Sequence, residues 1–140
     1  MTYLLDTNAV SDLMSAAPRI ESWMAGLDPS DRVVICPIIR GEVLFGIARL
    51  PAGKRRIRLE EASRRRLAVL PCEPIPEGAA DHYAALKLVR QQRGLTLDEN
   101  DLWVAATALA LGATLVSRDR DFEGIDGLKV VALDEPDALI

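Results

Sequence analysis

Tyr3-Leu4-Leu5-Asp6-Thr7-Asn8 is a short apolar run that ends on a carboxylate, and the pattern returns at Thr114-Leu115-Val116-Ser117-Arg118-Asp119. Between them, Val33-Val34-Ile35-Cys36 leads about one helical turn later to Glu42, and Asp101 opens the apolar run from Leu102 to Leu111. Short strand-like runs separated by helix-length segments are the alternation that builds a parallel sheet covered by helices. In such a sheet the carboxyl ends of the strands share one edge, and ligands bind in the crevice there. The expected fold class is therefore α/β, with a parallel sheet flanked by helices. Asp6, Glu42, Asp101 and Asp119 should meet at its carboxyl edge.

Four carboxylates in one crevice repel each other unless something positive lies between them. Hard divalent cations such as Mg²⁺ or Mn²⁺ fill that need, because they prefer oxygen ligands. The chemistry this suggests is metal-assisted hydrolysis of a phosphodiester.

At 140 residues the chain reads as one domain over 1–140, large enough to bury a real core. Hydrophobic residues make up 49% and aromatic residues only 4%, so that core must be aliphatic. No apolar stretch approaches the ~20 residues that span a bilayer, and no secretion signal opens the chain. Cys36 and Cys72 fit no metal or redox spacing and read as packed, reduced thiols of a cytoplasmic protein. The net charge of −4 opposes indiscriminate nucleic-acid binding, but the charge is uneven. Lys54 to Arg66 carries seven basic residues against Glu60 and Glu61, a segment charge of +5 that leaves −9 elsewhere. A basic strip beside an acidic cluster suits a nuclease, since one attracts the backbone and the other holds ions.

Proline and glycine mark the helices. Pro18 is placed to open a helix over 19–25, and Pro37 one over 38–50. In the segment 54–70, Leu59, Ser63, Leu67 and Leu70 share one helical face, while Lys54, Arg58 and Arg65 fall on the other. Pro71, Pro74 and Pro76 impose an extended connector with room for a short edge strand. The segment 77–93 reads as a helix closed by Gly94, and Asp98 is an N-cap for the next, which stops at Gly112. Lys129 to Leu133 is a last strand-like run.

Each site residue also has a plainer reading. Asp6-Thr7-Asn8 can be an ordinary Asx turn, or Thr7 and Asn8 can fix the Asp6 rotamer. Glu42 is the one acid in an otherwise apolar helix opening and can equally be a solvated surface residue. Asp98 and Asp101 share a helical face, with Asp98 the cap and Asp101 the better ligand. Of the loop acids, Asp119 is nearer the strand end than Asp121, and Phe122 should pack back on the sheet. Arg55, Arg58 and Arg65 form either an RNA-backbone strip or a solvated helix face. His82 has no marked partner and reads as a helix-surface residue.

With these residues in view, the chain resembles the PIN-domain family, and within it the VapC-type toxin ribonucleases. The likeness runs essentially end to end. It is sharpest at Leu4-Leu5-Asp6-Thr7-Asn8, at Gly41-Glu42 with Gly46-Ile47, and at Asn100-Asp101-Leu102-Trp103-Val104-Ala105-Ala106. The block from Ala108 through Val116 to Asp119-Arg120-Asp121-Phe122 is similarly close. The family's acids fall on Asp6, Glu42, Asp101 and Asp119. The resemblance implies about five parallel strands, Mg²⁺ or Mn²⁺ at those acids, and endonucleolytic RNA cleavage. It also implies a homodimer neutralised by a cognate antitoxin that inserts a segment near the pocket. Thr7, Asn8, Ser117, Asp98 and Asp121 would support the ligands, and Arg55, Arg58, Arg65 and Arg118 would hold RNA. Apolar surface on the helices of 38–50 and 59–70 would receive the antitoxin. Arg118 stands where a small polar residue such as Asn is usual. Two other readings remain: a nucleic-acid-binding module with a silent pocket, and a DNA-directed phosphodiesterase of related fold.

Overall fold

The structure is a computed structural model that describes residues 1–133. Positions 134–140 of the expected single domain lie outside the described residues. In chain order, β1 (Thr2–Leu5) runs into α1 (Thr7–Met14) and α2 (Pro18–Ala25), then β2 (Arg32–Val34). Four helices follow: α3 (Pro37–Ala48), α4 (Lys54–Val69), α5 (Ala79–Gln92) and α6 (Glu99–Leu111). The chain then forms β3 (Thr114–Val116), a 3₁₀ turn (Arg120–Phe122) and β4 (Val130–Val131).

Local chemistry accounts for the helix ends. Pro18 and Pro37 stand at first helical positions, where a missing N–H costs nothing. The Asp98 carboxylate accepts from the Asn100 N–H and caps α6. Gly112 ends α6 at φ +63°, a left-handed conformation that a side chain would oppose.

Among the described residues the sheet has four parallel strands in the order β2-β1-β3-β4. The expected fifth strand is reduced to a single bridge between Ile35 and Cys72, next to β2. Its cause is local. Pro71 and Pro74 lack the N–H groups a longer ladder needs, so pairing stops after the bonds Ile35 N–H to Pro71 O and Glu73 N–H to Ile35 O. Cys36 leaves the strand to precede α3, and Cys72 is exposed rather than packed.

The chain leaves β1 for β2 on one side and later returns to β3 on the other, so β1 and β3 flank the point where strand order reverses. Crevices open at such points. Leu4, Leu5, Val34, Ile35, Leu115 and Val116 are fully or almost fully buried, and Val10, Ile39 and Val104 pack on them from the helices. Phe122 is also in this core, at 1% exposure, which anchors the loop after β3. Among the described residues, no helix is long and apolar enough to cross a membrane.

Candidate functional site

Asp6 sits immediately beyond β1, its N–H donating to Val116 O at 3.0 Å as a last rung between β1 and β3. Only 5% of it is exposed. Its Oδ2 accepts from the Ser117 hydroxyl at 2.7 Å and from Asn8 Nδ2 at 3.2 Å. Asn8 Nδ2 also reaches Ser117 Oγ, at 3.1 Å, and the Asn8 Oδ1 accepts from the Arg118 N–H. Ser117 Oγ in turn accepts from the Asp119 N–H at 3.1 Å. One network therefore fixes the Asp6 carboxylate and the backbone that carries Asp119 together.

Burial and mutual repulsion set the electrostatics. Burial raises the Asp6 pKa, the Ser117 bond opposes the rise, and the Asp119 charge adds to it. Glu42, in the second turn of α3, is raised by burial and then by the Asp6 charge. Asp101, in the first turn of α6, is pushed up to about 7. Burial is the main cause, followed by the charges of Asp6, Asp119, Asp98 and Glu42. Carboxylates from three other elements, together with the cap of its own helix, thus act on Asp101 at once, as expected where the strand edges meet.

The Thr7 hydroxyl partly offsets the rise at Glu42, yet it stands outside hydrogen-bond geometry. Thr7 Oγ1 and Glu42 Oε1 are both buried without a hydrogen-bond partner among the described residues. Orphaned oxygens of this kind cost free energy unless something satisfies them. Among the described residues, no three acidic, histidine or cysteine side chains already close around a point where an ion would sit. The charges of neighbouring acids nevertheless add to the raised pKa values of Asp6, Glu42 and Asp101. An all-oxygen donor set with orphaned oxygens fits a hard divalent cation.

The site opens into a groove of about 920 Å³ whose walls include Thr7, Glu42, Phe45, Arg49, Arg55 and Asp98. Arg55 continues into a shallower trough shared with Arg58 and Arg65. The other bases of α4 are not all free: Arg56 pairs with Glu60 and Arg66 with Glu21, each at 2.8 Å.

Residues 3–128 match the PIN domain. The chain belongs to the PIN-domain family. It is 33% identical over 132 residues to ribonuclease VapC1 of Haemophilus influenzae, covering 92% of this chain and 96% of that one. Its fold is similar to VapBC-1 from nontypeable Haemophilus influenzae, with a TM-score of 0.78 and 26% identity over 95% of this chain and 98% of that chain. VapBC2 from Rickettsia felis, solved bound to a promoter DNA fragment, superimposes with a TM-score of 0.86 over 96% of this chain and 100% of that one. At 24% identity, that last likeness speaks for the fold alone.

Within this PIN domain the expected residues separate into those that meet and those that do not. Asp6, Glu42, Asp101 and Asp119 converge electrostatically, with Thr7, Asn8 and Ser117 between them. Asp98 stands at the rim as a helix cap. Asp121 supports Asp119 through its backbone N–H, at 2.9 Å, and not through its own carboxylate. Arg118 turns its guanidinium onto both oxygens of Asp12, at 3.1 and 3.2 Å. Asp12 is the residue a sequence reading passes over. Its signal is modest: it lies four positions after Asn8 and so on the same face of α1.

Proposed function

We propose that this chain is a metal-dependent endoribonuclease toxin of a toxin–antitoxin pair, acting as a homodimer in the cytoplasm. The observation that carries the reading is the convergence of Asp6, Glu42, Asp98 and Asp119 on Asp101, beside a groove that Glu42 and Asp98 line and that turns basic at Arg49 and Arg55. The ribonuclease name of the VapC1 relative and the similarity to a toxin–antitoxin complex from Klebsiella pneumoniae support it.

Asp6, Glu42, Asp101 and Asp119 would hold Mg²⁺ or Mn²⁺. When bound, the ion supplies Lewis acidity at the scissile phosphate and charge stabilisation as the phosphodiester opens. The protein's own part is placement. Ser117 and Asn8 hold Asp6 in one rotamer, and the Asp119 N–H ties the loop to the same hydroxyl. Thr7 faces Glu42, with its hydroxyl buried beside that carboxylate. Arg55, Arg58 and Arg65 hold the RNA backbone along α4. A cognate antitoxin would cover the apolar surface of α3 and α4, with a basic side chain entering the acidic pocket in place of a cation.

The direct test offers purified chain single-stranded RNA and single-stranded DNA side by side, with Mn²⁺ or with chelator. Cleavage of RNA alone, dependent on the ion and suppressed by the antitoxin, is the expected result. Charge reversal of Arg55 and Arg58 should weaken RNA binding and flatten its log–log salt dependence by about 0.7 per lost phosphate contact. An unchanged slope assigns that strip to plain solvation.

The Arg118–Asp12 pair gives a separate expectation. It is partly exposed, so Asp12→Asn should change folding stability by less than about 1 kcal/mol. Cleavage should nevertheless fall by up to about fivefold, because the pair steadies the loop bearing Asp119. The swap Asp12→Arg with Arg118→Asp should recover part of the rate. Full activity in Asp12→Asn, measured as kcat, would show that the loop needs no such tether.

A further inference from the structure

Phe45 has 66% of its surface exposed, high for a phenylalanine in a helix whose other face is core. It lies three residues after Glu42, and Arg49 lies four after Phe45, so the three form one stripe along α3. All three line the same groove. The Arg49 guanidinium carbon stands 5.9 Å from the centre of the Phe45 ring, within cation–π range. At about 1.5 Å rise per residue, Phe45 is ~4.5 Å and Arg49 ~10 Å along the axis from Glu42. A stacked strand advances about 3.4 Å per nucleotide, and an unstacked one more. The ring therefore stands about one nucleotide from the acids, and Arg49 one or two further.

We propose that Phe45 and Arg49 form a stacking subsite for a base of single-stranded RNA that flanks the scissile phosphate. The substrate assignment rests on the ribonuclease reading, but the subsite can be tested apart from it. Charge order selects the occupant. Glu42 and Asp98 mark the end that needs an ion, while Arg49 and Arg55 mark the end that attracts a polyanion, with Arg58 and Arg65 continuing the line. An aromatic ring beside a guanidinium is the surface on which splayed bases stack, and such stacking tolerates any base. A duplex keeps its bases stacked on one another and offers no free face, so the groove should favour unpaired RNA.

The experiment uses the whole chain without antitoxin. The probes are a short single-stranded RNA of mapped cleavage position, its duplex, and versions with an abasic residue at each neighbour of the cut. Phe45→Ala should raise KM about 5- to 100-fold with kcat largely kept. Phe45→Trp should restore KM and Phe45→Leu should not, because a flat ring rather than apolar bulk is required. One abasic RNA should cost the native protein as much as Phe45→Ala does, and the two losses should not add. Native KM in Phe45→Ala and Phe45→Leu overturns the subsite, as does full additivity with every abasic RNA. Normal cleavage with weakened antitoxin binding also overturns it, by assigning Phe45 to a protein contact. RNA binding in chelator, followed by fluorescence anisotropy, separates the two readings. Binding that depends on Phe45 in a chain that never cleaves leaves the subsite standing and removes the nuclease.

Discussion

Asp101→Asn is expected to lower RNA cleavage by more than about 100-fold while raising the melting temperature of the metal-free protein. Both effects have one origin. Asp101 is pushed up to about 7 by burial and by four neighbouring carboxylates, so its charge is held against resistance. The amide keeps the shape and removes the charge. The activity loss should exceed the about 10- to 100-fold seen when only a supporting contact of a metal ligand is lost. Relief of repulsion should raise the metal-free melting temperature at pH 8 by about 3–6 °C, roughly 1–2 kcal/mol after allowance for solvent screening. Asp6→Asn should match the activity loss but gain less stability, since Asp6 also accepts bonds from Ser117 and Asn8. Paired measurements of turnover and melting decide the matter. A variant that loses activity and also melts lower would mark Asp101 as a structural support instead.

Much of this site is legible from the order of residues because each acid is tied to an element boundary. Asp6 and Asp119 follow strands, and Asp101 follows the cap at Asp98. Parallel pairing then brings those boundaries to one edge without any knowledge of side-chain contacts. What escapes is what depends on long-range geometry. Arg118 and Asp12 are 106 positions apart, and nothing local says that a loop arginine will turn to α1. Phe45 is hidden differently. In the run from Ile38 to Ile47 nearly every residue is apolar, so periodicity alone does not separate the groove face from the core face. Only the packing of α3 exposes Phe45 while burying Ile39, Val43 and Ile47. The proline-rich connector has room for a short edge strand, but its missing N–H groups leave a single bridge.

A divalent cation should stabilise the fold more than any substitution of a surface residue, and its effect should run against the intrinsic pH dependence of the site. In chelator, Asp101 has a raised folded-state pKa, so the folded chain holds a proton there that the unfolded chain has already released. That contribution is fully present below the unfolded carboxylate range near 4 and is lost as pH rises through about 7. The shifts at Asp6 and Glu42 have the same sign. Metal-free stability should therefore fall between about pH 4 and pH 7. An ion that binds only the folded arrangement adds RT ln(1 + [L]/Kd), about 2.7 kcal/mol at a hundredfold excess over Kd. For a domain of this size, that is a melting shift on the order of 5–10 °C. Protons compete for the same oxygens, so the shift should be largest at pH 8 and shrink toward pH 5. Thermal scans at both pH values, in chelator and in millimolar Mn²⁺ or Mg²⁺, expose the opposition directly. A monovalent salt at equal ionic strength should do much less, and Asp101→Asn should blunt both the pH slope and the metal shift. A metal shift that persists undiminished in Asp101→Asn would place the ion elsewhere on the surface, because the groove acids cannot hold it as a set once their most strained member is neutral.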